Sequence, residues 1–380
     1  MKEAADACHA VGIKYKIYNT MRELSNRCRE LWAMRALNET YVLPPDPDAP
    51  VSGASDWLKE HLRSGFERAW SNPVQNVYPS GSGAAGPWQR AFVDHPPSEF
   101  DAAIKVKALS RWNNYYVEGL RQMKADFGFD GLYLDEIAYD RVTMQRAKSV
   151  LGSAGLIDHH SDRGGFTPSP ANNYLELYPF IDSLWYGEGF DYEGSSASYW
   201  LLEISGLPHG LHADLLRYAG MTPAHFKGMT FGSANRWQGP FVPDDTSPFS
   251  PLSVWRLWDT FRITDSVMFG WWLERERGSG TVPVTALPAA SGVHVTSFVR
   301  KGEMALLCIA SFSKADANVS LQIDWAALGL APGTVLVAPA LPPMQPTAQK
   351  FEPTAPIHVS AGQGWLLLVG APNILRDVQL

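Results

Sequence analysis

Two adjacent carboxylates follow a strand-like apolar run in this sequence. Residues 130–134 lead into Asp135 and Glu136, and Tyr139 follows at a predicted helix entry. Two carboxylates near one bond can divide roles: one stays ionised and stabilises positive charge, and the other is held protonated as a general acid. Neighbours in a strand point to opposite faces, so the pair shares a pocket only if the backbone twists there. The structural alternative makes Asp135 a buried carboxylate and Glu136 a helix cap.

A third acidic residue, Glu188, follows the predicted strand 183–186 and stands between two glycines. Glycine lets a backbone approach a ligand closely, and Glu188 would lie on the same rim as Asp135. Glu188 is therefore a candidate catalytic group, and the nearby Asp191 is a candidate substrate contact. Turn geometry alone would also account for the glycines.

Aromatic residues make up 12% of the chain, with 14 Trp and 14 Tyr, and many stand in polar or glycine-containing stretches. A flat, amphipathic ring beside hydrogen-bonding groups suits a sugar, whose C–H face stacks while its hydroxyls form hydrogen bonds. The alternative for each single ring is a place in the core. The candidate substrate contacts of this kind are Trp112, Asn114, Tyr115, Tyr116, Tyr139, Trp185 and Tyr186.

Two further polar groups lie at the ends of predicted strands. Arg22 could bind sugar hydroxyls by charge-assisted hydrogen bonds, although the neighbouring Thr20 and Glu23 also fit a helix-capping box. His159 closes a strand in the sequence Asp158-His159-His160. No third ligand with metal-site spacing accompanies the two histidines, so we predict hydrogen-bonding pocket roles for them, with His159 as a substrate contact, and no metal. No organic cofactor is predicted either, because carboxylates and the substrate itself can stabilise the charge.

The composition excludes several classes of protein. The formal charge of −7 lacks the basic excess of a nucleic-acid binder, and 45% hydrophobic residues among 380 supply a large core. Three scattered cysteines form neither a disulfide framework nor a zinc pattern. The longest apolar runs are strand-sized, so no membrane span is predicted, and residues 1–10 lack the pattern of a signal peptide. These features assign no compartment.

Helix and strand patterns alternate up to about residue 278. The predicted strands lie at 13–18, 131–135, 156–159, 183–186, 209–212, 228–231 and 269–272. The predicted helices lie at 23–37, 57–70, 111–126, 142–151, 172–180 and 254–262, and residues 72–97 form a predicted long loop. Six or seven such units favour a parallel sheet closed as a TIM-type (β/α)8 barrel over residues 1–278.

The sequence patterns at the two ends of the chain modify the prediction of a complete barrel. A helix-like segment at 3–10 precedes the first strand, which indicates entry partway through a βαβα series. We therefore expect the barrel to lack its first strand or strands, although a domain that begins with a helix would give the same pattern. After residue 278 the pattern becomes β-rich, with runs at 293–299, 304–310, 319–323, 335–338, 357–360 and 365–369. Residues 279–380 are predicted to form an antiparallel β-sandwich.

These motifs resemble a known family. The stretches 22–25, 110–120, 130–141 and 185–192 are similar to glycoside hydrolase family 123-like proteins, and the likeness continues at 323–325 and 362–367. The resemblance implies an exo-β-N-acetylgalactosaminidase that retains configuration through substrate assistance. In that mechanism the 2-acetamido oxygen attacks the anomeric carbon, Asp135 stabilises the acetamido group and Glu136 protonates the leaving oxygen.

Three hypotheses follow. The first is a retaining glycosidase for a β-linked N-acetylhexosamine, with the aromatic candidates around the sugar and Arg22 on its hydroxyls. The second makes Asp135 a nucleophile and Glu188 the acid/base of a retaining exo-glycosidase on a sugar without an acetamido group. The third is a truncated, non-catalytic carbohydrate-binding protein. All three predict a glycan partner and neither nucleic acid nor membrane.

Overall fold

The chain folds into two compact units. The computed structural model describes residues 1–19, 23–25, 29–30, 33, 40–42, 88–90, 100–106, 111–135, 141–162, 175–188, 190–215, 224–235, 250–273 and 282–370. The first unit comprises residues 1–190 and 209–211, and the second comprises 191–208 and 212–380. The domain boundary after residue 278 stays a prediction. No helix in the described part of the chain combines the length and apolar character that crossing a bilayer requires.

The first unit contains both parallel and antiparallel strands. Its described helices are α1 (Lys2–Ala10), α2 (Arg111–Phe127) and α3 (Arg141–Leu151). Its strands are β1 (Lys16–Tyr18), β2 (Glu23–Ser25), β3 (Thr40–Val42), β4 (Trp88–Arg90), β5 (Phe100–Val106), β6 (Gly131–Asp135), β7 (Leu156–Asp162) and β8 (Ser183–Glu188). Helix α2 buries residues at helical spacing, among them Val117 and Leu120, and Gly128 follows it with a positive φ of 72°. The helices predicted at 111–126 and 142–151 are confirmed by α2 and α3.

Strands β1, β6, β7 and β8 are parallel neighbours in that order. Residues that pair across parallel strands share a face of the sheet. Ile17 pairs with Leu132 and Leu132 with Ile157, and all three side chains are buried on one face. The opposite face carries the polar and aromatic side chains of the same strands. This register therefore separates a core face from a face that is available for chemistry.

A glycine permits the close approach of β6 and β7. A Cβ atom built on Gly131 would lie 2.2 Å from the carbonyl oxygen of Leu156, closer than any side chain tolerates. Gly131 pairs with Lys16 on one side and with Leu156 on the other. At this position the polar face of β6 consequently carries no side chain between Lys16 and Leu156.

A second, antiparallel sheet corrects two predictions for the first unit. Strand β5 pairs with β2, β3 and β4, and Glu23 lies opposite Ala103. Residues 23–25 are therefore a strand where the sequence predicts the start of a helix, and β4 lies inside the predicted loop 72–97. Pairing with a distant strand overrides the local helical pattern. The helix predicted at 57–70 lies outside the described residues.

The second unit is dominated by antiparallel sheet. Its helices are α4 (Ala197–Glu203), α5 (Ala224–Met229), α6 (Leu252–Phe261) and α7 (Trp325–Leu328). Its strands are β9 (His212–Leu215), β10 (Ala234–Asn235), β11 (Val267–Phe269), β12 (Val284–Leu287), β13 (Val293–Arg300), β14 (Met304–Ser311), β15 (Ala317–Ile323), β16 (Leu336–Ala338), β17 (Gln349–Phe351), β18 (Ile357–Val359) and β19 (Gly364–Gly370). Strands β9 and β10 are parallel to each other. The remaining strands form one sheet in the order β11-β13-β14-β19-β16-β17 and another in the order β12-β15-β18.

The larger sheet of the second unit is covered on both faces. Leu307 and Leu367 on one face pack with Val319 and Val359 of the smaller sheet. Residues on the other face, such as Leu306, pack against side chains of α5 and α6. All eight residues of β14 are consequently buried, which accounts for its continuous apolar sequence. The predicted C-terminal sandwich is confirmed.

Four predicted elements take other forms. The strand predicted at 228–231 falls at the end of α5, because Phe226 and Met229 pack at helical spacing onto the larger sheet. The barrel strand predicted at 269–272 overlaps β11 at Phe269 alone, and β11 pairs antiparallel with β13. The strand predicted at 209–212 begins at His212, after a 3-10 turn at Leu207–His209. Of the helix predicted at 172–180, the described part holds a 3-10 turn at Tyr178–Phe180.

Asp130 joins the start of the chain to β6. Its Oδ2 atom accepts the backbone N–H of Tyr15 at 2.7 Å and lies 2.8 Å from Nε2 of His9. Burial acts to raise the pKa of Asp130, but the hydrogen bonds from His9 and Tyr15, with the charges of His9 and Lys14, leave the pKa below its ordinary value. Because the folded-state pKa is lowered, ionised Asp130 stabilises the fold above the unfolded-state pKa, and this contribution is lost as the pH falls through the folded-state pKa.

We expect Asp130→Asn to lower the free energy of unfolding by about 1–2 kcal/mol at pH 6, because a charged hydrogen-bond acceptor is lost. The deficit should shrink as the pH falls below about 4, the usual carboxyl range. Urea titrations at a series of pH values measure this difference. Glu3→Gln removes an exposed carboxylate of α1 and serves as the control. A deficit that stays constant with pH would contradict the role of Asp130.

Candidate active site

Four rings lie together on the polar face of the parallel sheet. The centroid of Tyr133 on β6 lies 5.7 Å from that of Tyr18 on β1, 5.9 Å from that of His160 on β7 and 5.4 Å from that of Trp185 on β8. The Trp185 indole meets Tyr133 edge to face, at 86°. His160 is buried and Tyr18 is 55% exposed, so the cluster runs from the interior to solvent. We name these four residues the ring cluster.

A polar chain lies beneath the ring cluster. Lys16 forms an ion pair with Asp158, whose side chain is 3% exposed. The Ser183 hydroxyl donates to Oδ1 of Asp158 at 2.6 Å, and Nε1 of Trp185 donates to the Ser183 oxygen at 3.2 Å. A buried carboxylate needs a paired charge and hydrogen bonds, and both are present here. This polar chain of Lys16, Asp158, Ser183 and Trp185 therefore connects a partly buried ion pair to one ring of the cluster.

The backbone positions of two predicted carboxylates are described. Asp135 is the last residue of β6 and pairs with His160. Glu188 is the last residue of β8 and pairs with Asp162 beyond a register shift. In parallel α/β barrels the active site is built at the carboxyl ends of the strands. Asp135 and Glu188 both stand at such carboxyl ends, near the rings of the cluster.

Several predicted site residues or their side chains lie outside the described part of the chain. Arg22, Glu136 and Tyr139 lie outside the described residues, and the side chains of Asp135, Tyr186 and Glu188 do too. Convergence of the Asp135 and Glu136 side chains on one pocket therefore stays a prediction. Within the described ranges, no group of three or more His, Cys, Asp or Glu is arranged to hold a metal ion.

The aromatic candidates on α2 divide into buried and exposed rings. Trp112 is 3% exposed and Tyr116 is 6% exposed. The Tyr116 hydroxyl donates to the backbone carbonyl of Asn19 at 2.8 Å, just after β1. Tyr115 is 46% exposed and stacks on Trp112, with centroids 5.4 Å apart. Trp112 and Tyr116 thus occupy buried positions, and Tyr115 alone of the three presents its ring to solvent. Contact of these rings with substrate stays a prediction.

Two polar candidates already have partners within the protein. The side-chain oxygen of Asn114 accepts a hydrogen bond from Arg146 at 2.8 Å, which links α2 to α3. Asp191, in the second unit, accepts the backbone N–H of Gly194 at 2.8 Å and closes a local turn. Both contacts favour structural roles for these two side chains.

The two adjacent histidines of β7 occupy opposite faces. His159 pairs with Leu184 on the core face and is fully buried, whereas His160 pairs with Trp185 on the polar face. His159 therefore lies in the core, and its contact with substrate stays a prediction. His160 is the histidine that belongs to the ring cluster.

Sequence reasoning missed Tyr18 and Tyr133 of the ring cluster, and it named His159 rather than His160 as the substrate contact. The signal was the strand period of two, because Tyr133 stands two positions before Asp135 and shares its face. The parallel register then places His160 opposite Asp135. Tyr133 could have been predicted as a neighbour of Asp135, because residues two positions apart in a strand lie on the same face.

Comparison with known proteins identifies related domains. The model of the glycoside hydrolase 123 TIM-barrel domain matches residues 1–238. The model of the glycoside hydrolase 123 C-terminal domain matches residues 250–370. The two matches together cover most of the chain. No curated protein matches the sequence.

Solved structures give weaker likenesses. An α-amylase from Geobacillus thermoleovorans in complex with acarbose is 10% identical, with a TM-score of 0.46 over 98% of this chain and 80% of its own. A family 27 β-L-arabinopyranosidase from Geobacillus stearothermophilus in complex with arabinose is 12% identical, with a TM-score of 0.45 over 97% and 77%. An α-amylase from Malbranchea cinnamomea is 10% identical, with a TM-score of 0.43 over 98% and 77%. These likenesses are too weak to support a conclusion about activity.

Tyr133 contacts the other three rings of the cluster, so its removal should cost stability. We expect Tyr133→Ala to lower the free energy of unfolding by about 1–3 kcal/mol, because a partly buried ring is lost. Tyr133→Phe keeps the ring and should cost less than half as much. Chemical denaturation measures both values. The control is Tyr115→Ala, at a more exposed ring, and a Tyr133→Ala loss no larger than the control loss would contradict the packing described.

Proposed function

The chain belongs to glycoside hydrolase family 123, and from that premise we propose that it is a retaining β-N-acetylgalactosaminidase. As a member of this family it is a glycosidase with a carbohydrate substrate, and it combines a TIM-barrel domain with a C-terminal β-sandwich. The amino sugar, the mechanism and the residue roles are the proposal. One observation carries it: Asp135 closes β6 opposite His160, beside the ring cluster, with Glu136 as the next residue.

In the first step of the proposed reaction, the substrate supplies its own nucleophile. The carbonyl oxygen of the 2-acetamido group attacks the anomeric carbon, and the bond from that carbon to the leaving oxygen breaks. Glu136 donates its proton to the leaving oxygen. Asp135 stays ionised and stabilises the positive charge of the oxazolinium intermediate. The separation of roles requires that Glu136 is protonated while Asp135 is charged.

In the second step, water opens the oxazolinium ring. Glu136, now a carboxylate, takes a proton from the water molecule while the water oxygen attacks the anomeric carbon. The acetamido group is restored, and two inversions at the anomeric carbon leave the β configuration unchanged. Neither step draws on a metal ion or an organic cofactor.

The ring cluster supplies a surface for the sugar in this proposal. The rings of Tyr133 on β6 and Trp185 on β8 are partly exposed and contact each other, and β7 lies between their two strands. An aromatic face can stack on the C–H face of a pyranose. A hydrophobic wall with polar neighbours would orient the sugar for attack at its anomeric carbon.

The second mechanism, with Asp135 as nucleophile and Glu188 as acid/base, places a heavier demand on geometry. Strand β7 lies between β6 and β8, so their backbones are about 10 Å apart, and Glu188 stands about two positions further along. The two Cα atoms are then about 12 Å apart. A carboxyl separation of about 5–5.5 Å requires both side chains to point toward each other. The adjacent pair requires instead a twist of the backbone at the end of β6, which lets both side chains reach one pocket.

A panel of chromogenic aryl glycosides tests the substrate. We expect hydrolysis of the β-N-acetylgalactosaminide, release of the β-anomer by NMR and inhibition by a thiazoline mimic of the oxazolinium ring. Comparable turnover of the β-galactoside would contradict substrate assistance and favour the mechanism with Glu188. Sugar binding by calorimetry without hydrolysis of any glycoside would leave a non-catalytic binding protein.

Substitution of the adjacent carboxylates tests their roles. Asp135→Asn and Glu136→Gln should each lower kcat/KM by at least about 100-fold, the usual scale for general acid–base groups. With a dinitrophenyl leaving group, which needs no protonation, the first step of Glu136→Gln should recover, whereas Asp135→Asn should stay slow. Glu118→Gln, at an exposed carboxylate of α2, is the matched control. Near-normal turnover by both variants would refute the assignment.

A further inference from the structure

The polar chain beneath the ring cluster joins four residues on three strands. Asp158 pairs with Ser183 in the register of β7 and β8, and Trp185 stands two positions beyond Ser183 on the same face. Lys16 reaches Asp158 from β1, two strands away, and the strand between them carries Gly131 at the position paired with Lys16. The missing side chain at Gly131 leaves this path across β6 open.

The chemistry of the groups fixes the direction of each hydrogen bond. An ionised carboxylate only accepts and an indole N–H only donates. The single proton of the Ser183 hydroxyl therefore goes to Asp158, and the Ser183 oxygen is left to accept from Trp185. Turning the serine hydroxyl the other way would leave a buried carboxylate short of a donor. Asp158 thus dictates the orientation of Ser183, and Ser183 that of the indole.

The indole is restrained in a second way. The Trp185 ring meets Tyr133 edge to face, at 5.4 Å and 86°. One hydrogen bond at Nε1 and one ring contact together restrict both side-chain torsions of a tryptophan. A ring that is already ordered loses less conformational entropy when a ligand stacks on it.

We propose that Asp158 and Ser183 are positioning residues that hold the Trp185 indole in the orientation in which it stacks on the sugar. The proposal rests on the proposed function, in which Trp185 contacts the substrate. Lys16 compensates the charge of Asp158 beneath the ring. Neither positioning residue takes part in proton transfer.

A double-mutant cycle tests the proposal. Ser183→Ala removes the acceptor of the indole N–H and should raise KM about tenfold with kcat changed less than threefold, because a stack on the sugar is present before and during the reaction. Trp185→Phe removes the N–H itself. In that background Ser183→Ala should change KM less than twofold, since the two groups act as one unit. Equal effects of Ser183→Ala in both backgrounds would overturn the proposal.

A second readout needs no substrate. In protein with 15N-labelled indoles, the Nε1–H resonance that disappears in Trp185→Phe belongs to Trp185. Ser183→Ala should shift this resonance upfield, and Ser183→Thr, which keeps a hydroxyl, should restore both its position and the KM. Asp158→Asn should also shift it, because serine loses a charged acceptor. A resonance that none of these variants moves would overturn the proposal even where Ser183→Ala lowers stability.

Failure of the proposal and failure of the proposed function are distinguishable. The cycle is run on whichever aryl glycoside the wild-type protein hydrolyses, so a wrong sugar assignment leaves it intact. A β-N-acetylgalactosaminide that is turned over with additive mutational effects would refute the positioning role alone. Wild-type protein that hydrolyses no glycoside would refute the function alone, and the NMR readout would still decide the orientation of Trp185.

Discussion

The register of the four parallel strands is the constraint on which the rest of the first unit depends. It places Ile17, Leu132 and Ile157 on one face, where they are buried, and aligns Asp135 with His160 on the other. Because side chains alternate along a strand, a slip of one residue would exchange the two faces. Burial of the apolar face therefore fixes which polar side chains meet at the carboxyl ends. The face that carries the proposed site is specified by the same force that builds the core.

Burial of a charged group on the polar face costs free energy of desolvation, and the contacts of Asp158 show how this cost is offset. A buried carboxylate without partners would destabilise the fold, yet Lys16 and Ser183 both contact it. Replacing one member would leave the others unsatisfied, so the group behaves as a unit. The last member of this hydrogen-bonded group is the indole of Trp185, which donates to Ser183. A compensation that folding requires thus also sets the orientation of a ring at the proposed sugar site.

The sequence predicted what depends on local pattern and missed what depends on distant partners. Strands with an apolar face, such as β6 and β7, and the amphipathic helix α2 were predicted within a few residues. Residues 23–25 form a strand because they pair with 101–103, a partner that no local window contains. The same limit explains His159 and His160, since neither composition nor spacing says which of two adjacent histidines faces the core. The position of Asp135 at a strand end was predictable, whereas its ring neighbours became evident from the register.

The adjacency of two carboxylates along the chain has a consequence for the mechanism. Consecutive Cα atoms are about 3.8 Å apart, so the backbones of Asp135 and Glu136 are adjacent whatever the barrel does elsewhere, and a local twist is what their side chains need to converge. A nucleophile and an acid on opposite faces of a sugar have to come from separate strands, as Asp135 and Glu188 do. An acetamido group and a glycosidic oxygen, by contrast, are attached to neighbouring carbons of one ring. When the substrate provides the nucleophile, the protein needs only two acidic groups side by side, and a single strand end can supply them.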